Sequence, residues 1–152
     1  VSGSEDMSII IWNVSSGENI RMLEGHSGTV RSVDITPDNQ KVVSGSRDNT
    51  AKVWSMDDGK LLHTFEGHTN CVMSVAIHLS GEFLATGSDD ETWKLWSLKT
   101  NTLQYTSNDA HTDEVKSVLF SPDGSCLLSG SNDKTIQIED LDPHINRLPK
   151  SL

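Results

Sequence analysis

The chain has 152 residues, of which 12 are Lys or Arg and 22 are Asp or Glu, and its formal net charge is −10. This charge excludes a general nucleic-acid coat, because such a protein needs a basic surface that releases counterions from phosphates. No apolar run approaches the ~18 to 20 residues of a membrane-spanning helix, so we expect neither direct nucleic-acid binding nor a membrane span.

The chain begins at Val1 inside a strand-like pattern, without an initiator Met or the basic and apolar stretches of a signal peptide. We therefore expect an excerpt of a longer protein. Residues 1–24 are predicted to form the end of one structural unit, in which residues 8–24 supply roughly the last two strands.

Two cysteines stand far apart in the sequence, at Cys71 and Cys126. A chain of this length can bury a core without disulfides, so the pair does not indicate a disulfide scaffold. We expect reduced thiols and a cytoplasmic or nuclear location. No basic residue adjoins Cys71, which predicts an unreactive thiol.

The same short sequences return at intervals of 42 or 43 residues. A Gly-His or Ala-His pair is followed by a turn sequence and then by a sequence of the Ser-Gly-Ser type that leads to an Asp. Six residues after that Asp stands a Trp in the first three copies and a Glu in the fourth. The histidines are His26, His68 and His111, and the pairs are Asp6 and Trp12, Asp48 and Trp54, Asp90 and Trp96, and Asp133 and Glu139.

Each period contains short apolar segments that alternate with polar residues, as in residues 29–35, and this alternation predicts strands. Pro37 and Pro122 suit the second position of a type I turn between strands. About four strands fit each repeat, and such antiparallel units must stack on neighbours to bury their faces. The predicted fold is therefore all-β, a propeller of about three and a half four-stranded antiparallel blades. The predicted boundaries are 1–24 for the end of one blade, 25–66 and 67–109 for complete repeats, 110–141 for a degenerate repeat and 142–152 for a C-terminal tail.

The ordered sequences Gly-His, Ser-Pro-Asp-Gly, Ser-Gly-Ser-x-Asp and a following Trp resemble the WD40 repeat family, and the resemblance covers nearly the whole chain up to Asp140. The Asp that follows Trp in the family is Asn13, Ser55 and Ser97 here, and only Asp140 matches it. The resemblance implies a β-propeller of about seven blades, of which this chain is expected to be a part. Two alternatives remain open, namely that two copies associate through exposed blade edges or that the chain does not fold in isolation.

The resemblance also implies a buried hydrogen-bond chain in each blade, joining a His, a Ser or Thr, an Asp and the Trp. The residue types fit these roles, because an indole only donates, a carboxylate only accepts, and hydroxyl and imidazole groups do both. Glu139 replaces the Trp in the degenerate repeat, so its chain is expected to stay open. The implied sets are His26, Ser44, Asp48 and Trp54, then His68, Thr86, Asp90 and Trp96, then His111, Ser129 and Asp133.

Ser, His and Asp are also the residue types of a hydrolase triad, which keeps a hydrolase open as an alternative function. Near-identical copies at a fixed period favour an architectural role, because catalysis needs a single site. The sequence has no Gly-x-Ser-x-Gly, His-Glu-x-x-His or Cys-x-x-Cys motif, and no phosphate-binding loop that ends in Gly-Lys-Ser or Gly-Lys-Thr. We therefore expect no enzymatic activity, no bound metal and no cofactor.

The resemblance places partner contacts on the narrow face of the propeller, before each turn Asp and near the start of each innermost strand. The expected function is a non-enzymatic scaffold that binds proteins or peptides on this face and on the rim. A regulatory propeller of a nucleotide-switch protein is an alternative. Mapped onto this sequence, the candidate contact residues are Arg31, Arg47, Met73, Asp89, Lys116 and Asn132.

Arg31 and Arg47 belong to one blade, and two guanidinium groups can bind a phosphate together. This pair suggests a second alternative, the substrate-recognition propeller of a ubiquitin ligase that binds an acidic or phosphorylated peptide. The competing interpretation is that both arginines balance nearby carboxylates.

Two features of the last repeats carry separate predictions. Trp93 stands where the other copies have Ile9, Ala51 and Ile136, and we expect it to pack between blades. The tail 142–152 contains two prolines that make a poor strand, so we expect a loosely ordered C-terminus.

Overall fold

A computed structural model of the protein describes residues 1–141. These residues form fourteen strands and no helix, so none of them lies in a helix able to cross a lipid bilayer. The predicted tail, residues 142–152, lies outside the described residues. The strands are β1 (Ser2–Gly3), β2 (Ile9–Trp12), β3 (Asn19–Leu23), β4 (Val30–Ile35), β5 (Lys41–Ser46), β6 (Ala51–Ser55), β7 (Leu61–Phe65), β8 (Val72–Ile77), β9 (Phe83–Ser88), β10 (Trp93–Ser97), β11 (Thr102–Thr106), β12 (Val115–Phe120), β13 (Cys126–Ser131) and β14 (Ile136–Asp140).

The strands form four antiparallel sheets that follow one another along the chain. The first sheet contains β1 to β3, the second β4 to β7 and the third β8 to β11, while the described part of the fourth contains β12 to β14. Within each sheet the strands pair in chain order, and β4, β8 and β12 are the innermost strands of the last three sheets. This arrangement confirms the predicted all-β fold of four-stranded antiparallel blades.

The first sheet has one strand more than the two predicted from residues 8–24. Ser2 pairs with Ile10 and Gly3 pairs with Ile9, so β1 lies beside β2. Two residues are too few to carry an alternating pattern, which is why the periodicity of the sequence did not predict this strand.

Side-chain hydrogen bonds hold the turn that was predicted around Pro37. Thr36 Oγ1 donates to Asp38 Oδ1 at 2.6 Å, and the Gln40 N–H donates to the same oxygen at 2.9 Å. These two bonds hold the pKa of Asp38 below its ordinary value. Asn39 adopts a φ of 57°, in the left-handed region that Asn tolerates better than most residues. Residues 36–40 thus supply both the hydrogen bonds and the backbone conformation of this turn.

Successive sheets pack face to face through apolar side chains. Val43 and Phe65 of the second sheet belong to one buried cluster with Val75 and other apolar residues of the third. Trp93 lies in the cluster that joins the third sheet to Val115 of the fourth, which confirms the predicted packing of Trp93 between neighbouring blades. Each sheet is thus stabilised by burial against the next, as expected for stacked units that cannot bury both faces alone.

Hydrogen bonds between innermost strands align the sheets. Ser32 Oγ on β4 accepts the Val75 N–H of β8 at 3.2 Å, and Ser74 Oγ on β8 accepts the Val118 N–H of β12 at 3.1 Å. The starts of β4, β8 and β12 therefore lie next to one another. We call this end of the sheets the narrow face, formed by the starts of these strands and by the residues that follow β5, β9 and β13.

Candidate functional site

In the second sheet, His26 joins a carboxylate to a hydroxyl group. Its Nδ1 lies 2.7 Å from Asp48 Oδ2, and its Nε2 lies 2.7 Å from Ser44 Oγ. The Trp54 indole donates to the same Ser44 oxygen at 2.9 Å. Because a carboxylate only accepts, the neutral ring carries its proton on Nδ1 and accepts the Ser44 hydroxyl proton at Nε2. Every member of this chain has a partner, which determines the orientation of the imidazole.

The third sheet repeats this geometry. His68 Nδ1 lies 2.8 Å from Asp90 Oδ2 and His68 Nε2 lies 2.7 Å from Thr86 Oγ1, while the Trp96 indole donates to Thr86 at 2.9 Å. A threonine hydroxyl performs the same task as the serine hydroxyl of the second sheet. The structure thus brings together both complete sets of residues that the sequence suggested.

The fourth sheet holds a shortened chain. His111 Nδ1 lies 2.8 Å from Asp133 Oδ2, and His111 Nε2 lies 2.8 Å from Ser129 Oγ. Glu139 occupies the register position of the Trp, so no indole donates to Ser129. The histidine therefore keeps its two polar partners although the aromatic member is missing.

The order Asp48, His26, Ser44 is also that of a hydrolase triad, and the burial of its hydroxyl decides what it can do. Ser44 is 0% exposed, and its oxygen already accepts the Trp54 indole. A nucleophile needs a free approach for the substrate carbonyl, which this oxygen lacks. Within residues 1–141, no three His, Cys, Asp or Glu side chains are grouped so that they could hold a metal ion.

Burial also changes the proton affinities in the second sheet. It lowers the pKa of His26 below its usual 6.5, and this effect exceeds the opposing effect of the nearby Asp48 carboxylate. Burial disfavours the charged form of Asp48, but hydrogen bonds from Thr50 and His26 outweigh burial and hold the pKa of Asp48 below 3.8. The folded state therefore favours neutral His26 beside ionised Asp48.

We expect the free energy of unfolding to fall as the pH is lowered from about 7 to about 5. The pKa of His26 is lower in the folded chain than in the unfolded chain, so the unfolded chain is protonated at a higher pH. Protonation therefore stabilises the unfolded state relative to the folded state as the pH falls. Urea titrations across this pH range test the prediction. In a His26→Asn variant, which lacks the titrating ring, we expect a shallower pH dependence. Stability that stays constant or rises on acidification would contradict this account.

On the narrow face, the second sheet carries two exposed arginines. Arg31 lies near the start of β4, and Arg47 directly follows β5, with its N–H bonded to the Thr29 carbonyl at 2.9 Å. Among residues 1–141, neither guanidinium group makes a hydrogen bond or an ion pair. The competing interpretation, that nearby carboxylates balance these charges, has no ion pair to support it within that range.

Lys116, the basic candidate residue of the fourth sheet, differs from the two arginines because it is paired with carboxylates. Lys116 Nζ lies 2.7 Å from Asp89 Oδ1 and 2.5 Å from Glu114 Oε2, and Asn132 Nδ2 donates to Glu114 at 2.8 Å. Burial favours the neutral form of this lysine, but the two carboxylates outweigh burial and raise the pKa of Lys116. Three of the candidate residues, Asp89, Lys116 and Asn132, thus belong to one network on the narrow face, in which Glu114 joins Asn132 to Lys116.

The repeat positions identify the candidate residues but carry no information about how their charges pair. Met73, the remaining candidate, is half-buried on β8. Glu114 connects Lys116 to Asn132, and its position two residues before the lysine was the only signal for this link. The structure divides the narrow face into a neutralised part on the third and fourth sheets and a cationic part on the second.

Comparison with known proteins places this arrangement in context. A family model described as "WD domain, G-beta repeat" matches residues 17–55, 59–97 and 101–138. Each matched segment runs from an outermost strand into the first three strands of the next sheet. A comparison with curated proteins found no match.

Proposed function

Because the chain belongs to the WD40 repeat family, we propose that it is a non-enzymatic scaffold that binds proteins or peptides on its narrow face and rim. Domains of this family generally bind proteins or peptides and are generally not enzymes. The burial of the Ser44 and Thr86 hydroxyls supports a structural role for the His-Asp-Ser sets. The two cysteines are free thiols, which supports a location in the reducing cytoplasm or nucleus.

The ligand we propose for the narrow face is an acidic or phosphorylated peptide. The observation that carries this proposal is the contrast between the charges of neighbouring sheets. Arg31 and Arg47 are exposed and make no ion pair in the described chain, whereas Lys116 is neutralised by Asp89. Two guanidinium groups at one strand end can bind a phosphate through several charge-assisted hydrogen bonds. Substrate recognition in a ubiquitin ligase would use such a site.

An Arg31→Ala/Arg47→Ala variant is expected to bind a phosphoserine peptide at least about tenfold more weakly, because each charge-assisted bond contributes a comparable factor. Calorimetric titration with a panel of phosphoserine peptides and their unphosphorylated forms measures this change. The matched control is Lys41→Ala/Lys60→Ala, which removes the same charge from the opposite end of the same sheet. Equal affinity in the Arg31→Ala/Arg47→Ala variant and the parent chain would eliminate the arginine site.

We also infer that the chain associates with itself through the open face of its fourth sheet. Ile136 and Ile138 on β14 are 72% and 67% exposed, and a Cβ added at Gly130 of the neighbouring strand would meet no atom of residues 1–141 within 4 Å. Exposed apolar patches of this kind favour association. Light scattering is expected to give a mass that rises with concentration, and less so for Ile136→Asn/Ile138→Asn. A mass of 16.7 kDa at every concentration would contradict this inference.

A further inference from the structure

A cleft of about 410 Å³ opens between the third and fourth sheets, away from the narrow-face arginines. Its walls come from β10, β11, β14 and the loop that leads to His111. The residues that matter for its chemistry are Trp93, Tyr105, Ser107, Asp109, Ala110 and Glu139.

Smaller side chains at two repeat positions open this cleft. Between the second and third sheets the equivalent space holds Phe65 and Trp96, whose ring centroids lie 5.1 Å apart. Ser107 bonds to Trp93 at the start of β10, just as Phe65 pairs with Ala51 at the start of β6. Ser107 therefore stands at the repeat position of Phe65. Glu139 replaces the tryptophan. Both substitutions remove aromatic volume from the contact between sheets.

A third substitution follows from the loss of the tryptophan. Gly67 precedes His68, and a Cβ added there would lie 3.3 Å from the Trp96 ring. The corresponding residue before His111 is Ala110, whose methyl group is tolerated because no indole lies against it. The Ala110 methyl group is therefore compatible with the space that the missing indole leaves.

The chemistry of the cleft is aromatic and acidic. Trp93 and Tyr105 form its aromatic wall, with centroids 5.2 Å apart and an interplanar angle of 42°. Burial raises the pKa of Tyr105, and the nearby Glu139 and Asp109 carboxylates raise it further, so both negative charges lie near its phenol. Among residues 1–141, no lysine or arginine lines the cleft. The cleft therefore complements a cation that has a flat face.

We propose that this cleft binds an arginine side chain of a partner protein or peptide. Its guanidinium group would lie on the Tyr105 ring and donate hydrogen bonds to Asp109 and Glu139. A planar fork of donors fits an aromatic face flanked by two carboxylates better than a compact ammonium group does. This site is independent of the phosphopeptide site, because it lies between other sheets and selects the opposite charge.

The test uses the full chain and two acetylated, amidated tripeptides, Gly-Arg-Gly and Gly-citrulline-Gly, with NMR titration as the readout. The arginine peptide is expected to shift the Trp93 indole signal, and the neutral citrulline peptide is not. An Asp109→Asn/Glu139→Gln variant is expected to bind the arginine peptide at least about tenfold more weakly. Equal shifts with citrulline, or an unchanged affinity in this variant, would overturn the proposal.

The chain offers a matched control at the same repeat position. Glu24 and Glu66 correspond to Asp109 in sheets whose Trp is present, so Glu24→Gln/Glu66→Gln removes an equal charge elsewhere. This control is expected to retain the affinity for arginine, and an equal loss in it would overturn the proposal. A separate Ala110→Gly/Glu139→Trp variant should fill the cleft as Trp96 fills its own site. Arginine binding that persists in the folded form of this variant would contradict a site in the cleft.

Discussion

Replacing Trp54 with Ala is expected to lower the free energy of unfolding by about 3 to 5 kcal/mol. The side chain is 1% exposed and belongs to the cluster that joins the first and second sheets. Its loss removes a large apolar volume that the packed backbone cannot refill. The substitution also removes the indole that donates a hydrogen bond to Ser44. The hydrogen bond between Ser44 and His26 remains. Urea denaturation of the variant and the parent measures the difference.

The matched control is Trp12→Ala, at the same repeat position in the first sheet. Trp12 also donates to a serine, with its Nε1 2.8 Å from Ser2 Oγ, but its side chain is 41% exposed. Loss of an exposed hydrogen bond and partial packing is expected to cost about 1 kcal/mol. Equal destabilisation by both substitutions would show that burial between sheets does not distinguish the two sites.

Replacing Gly45 with Ala is expected to destabilise the chain by about 1 to 3 kcal/mol, because the added methyl group overpacks the contact between the second and third sheets. A Cβ at this position would lie 2.7 Å from Val72 Cγ1 and 2.9 Å from Val75 Cγ1. Both valines belong to the central apolar cluster, so the sheets must separate slightly to admit the methyl group. Thermal or urea unfolding measures the effect.

Gly130 is the equivalent glycine of the fourth sheet and provides the control. Within the described part of the chain, a Cβ added there meets no atom within 4 Å. Gly130→Ala is therefore expected to be neutral or to stabilise the chain by about 0.4 to 1 kcal/mol, because alanine restricts the unfolded chain. Of the two substitutions, only Gly45→Ala is thus expected to destabilise the chain. Destabilisation of similar size at both positions would contradict the face-to-face packing of the sheets.

Repetition made the fold predictable from the sequence. A strand pattern that recurs together with its turn residues indicates both the repeated sheet and its packing against neighbouring sheets. The sheets and the packing of Trp93 between them therefore follow from the sequence. The short β1 strand was not, because Ser2 and Gly3 carry no alternation of their own and pair only through contact with β2.

The candidate sites were less predictable, because they depend on pairing between sheets. Repeat positions grouped Arg31, Arg47 and Lys116 together, but only the structure reveals that Lys116 reaches Asp89 of the preceding sheet. The cleft depends on Ser107 and Glu139, which lie far apart in the sequence. The sequence shows that each is smaller than its equivalent in the preceding repeat, whereas their convergence on one space is a property of packing.

The proposed function requires a phosphorylated partner to bind Arg31 and Arg47 of the second sheet, which make no ion pair within residues 1–141. The most direct test is an NMR titration of the chain with a phosphoserine peptide selected from the panel and with its unphosphorylated form. The account predicts saturable shifts of Arg31, Arg47 and their neighbours with the phosphorylated peptide only. Equal shifts with both peptides, or shifts confined to another surface, would contradict it.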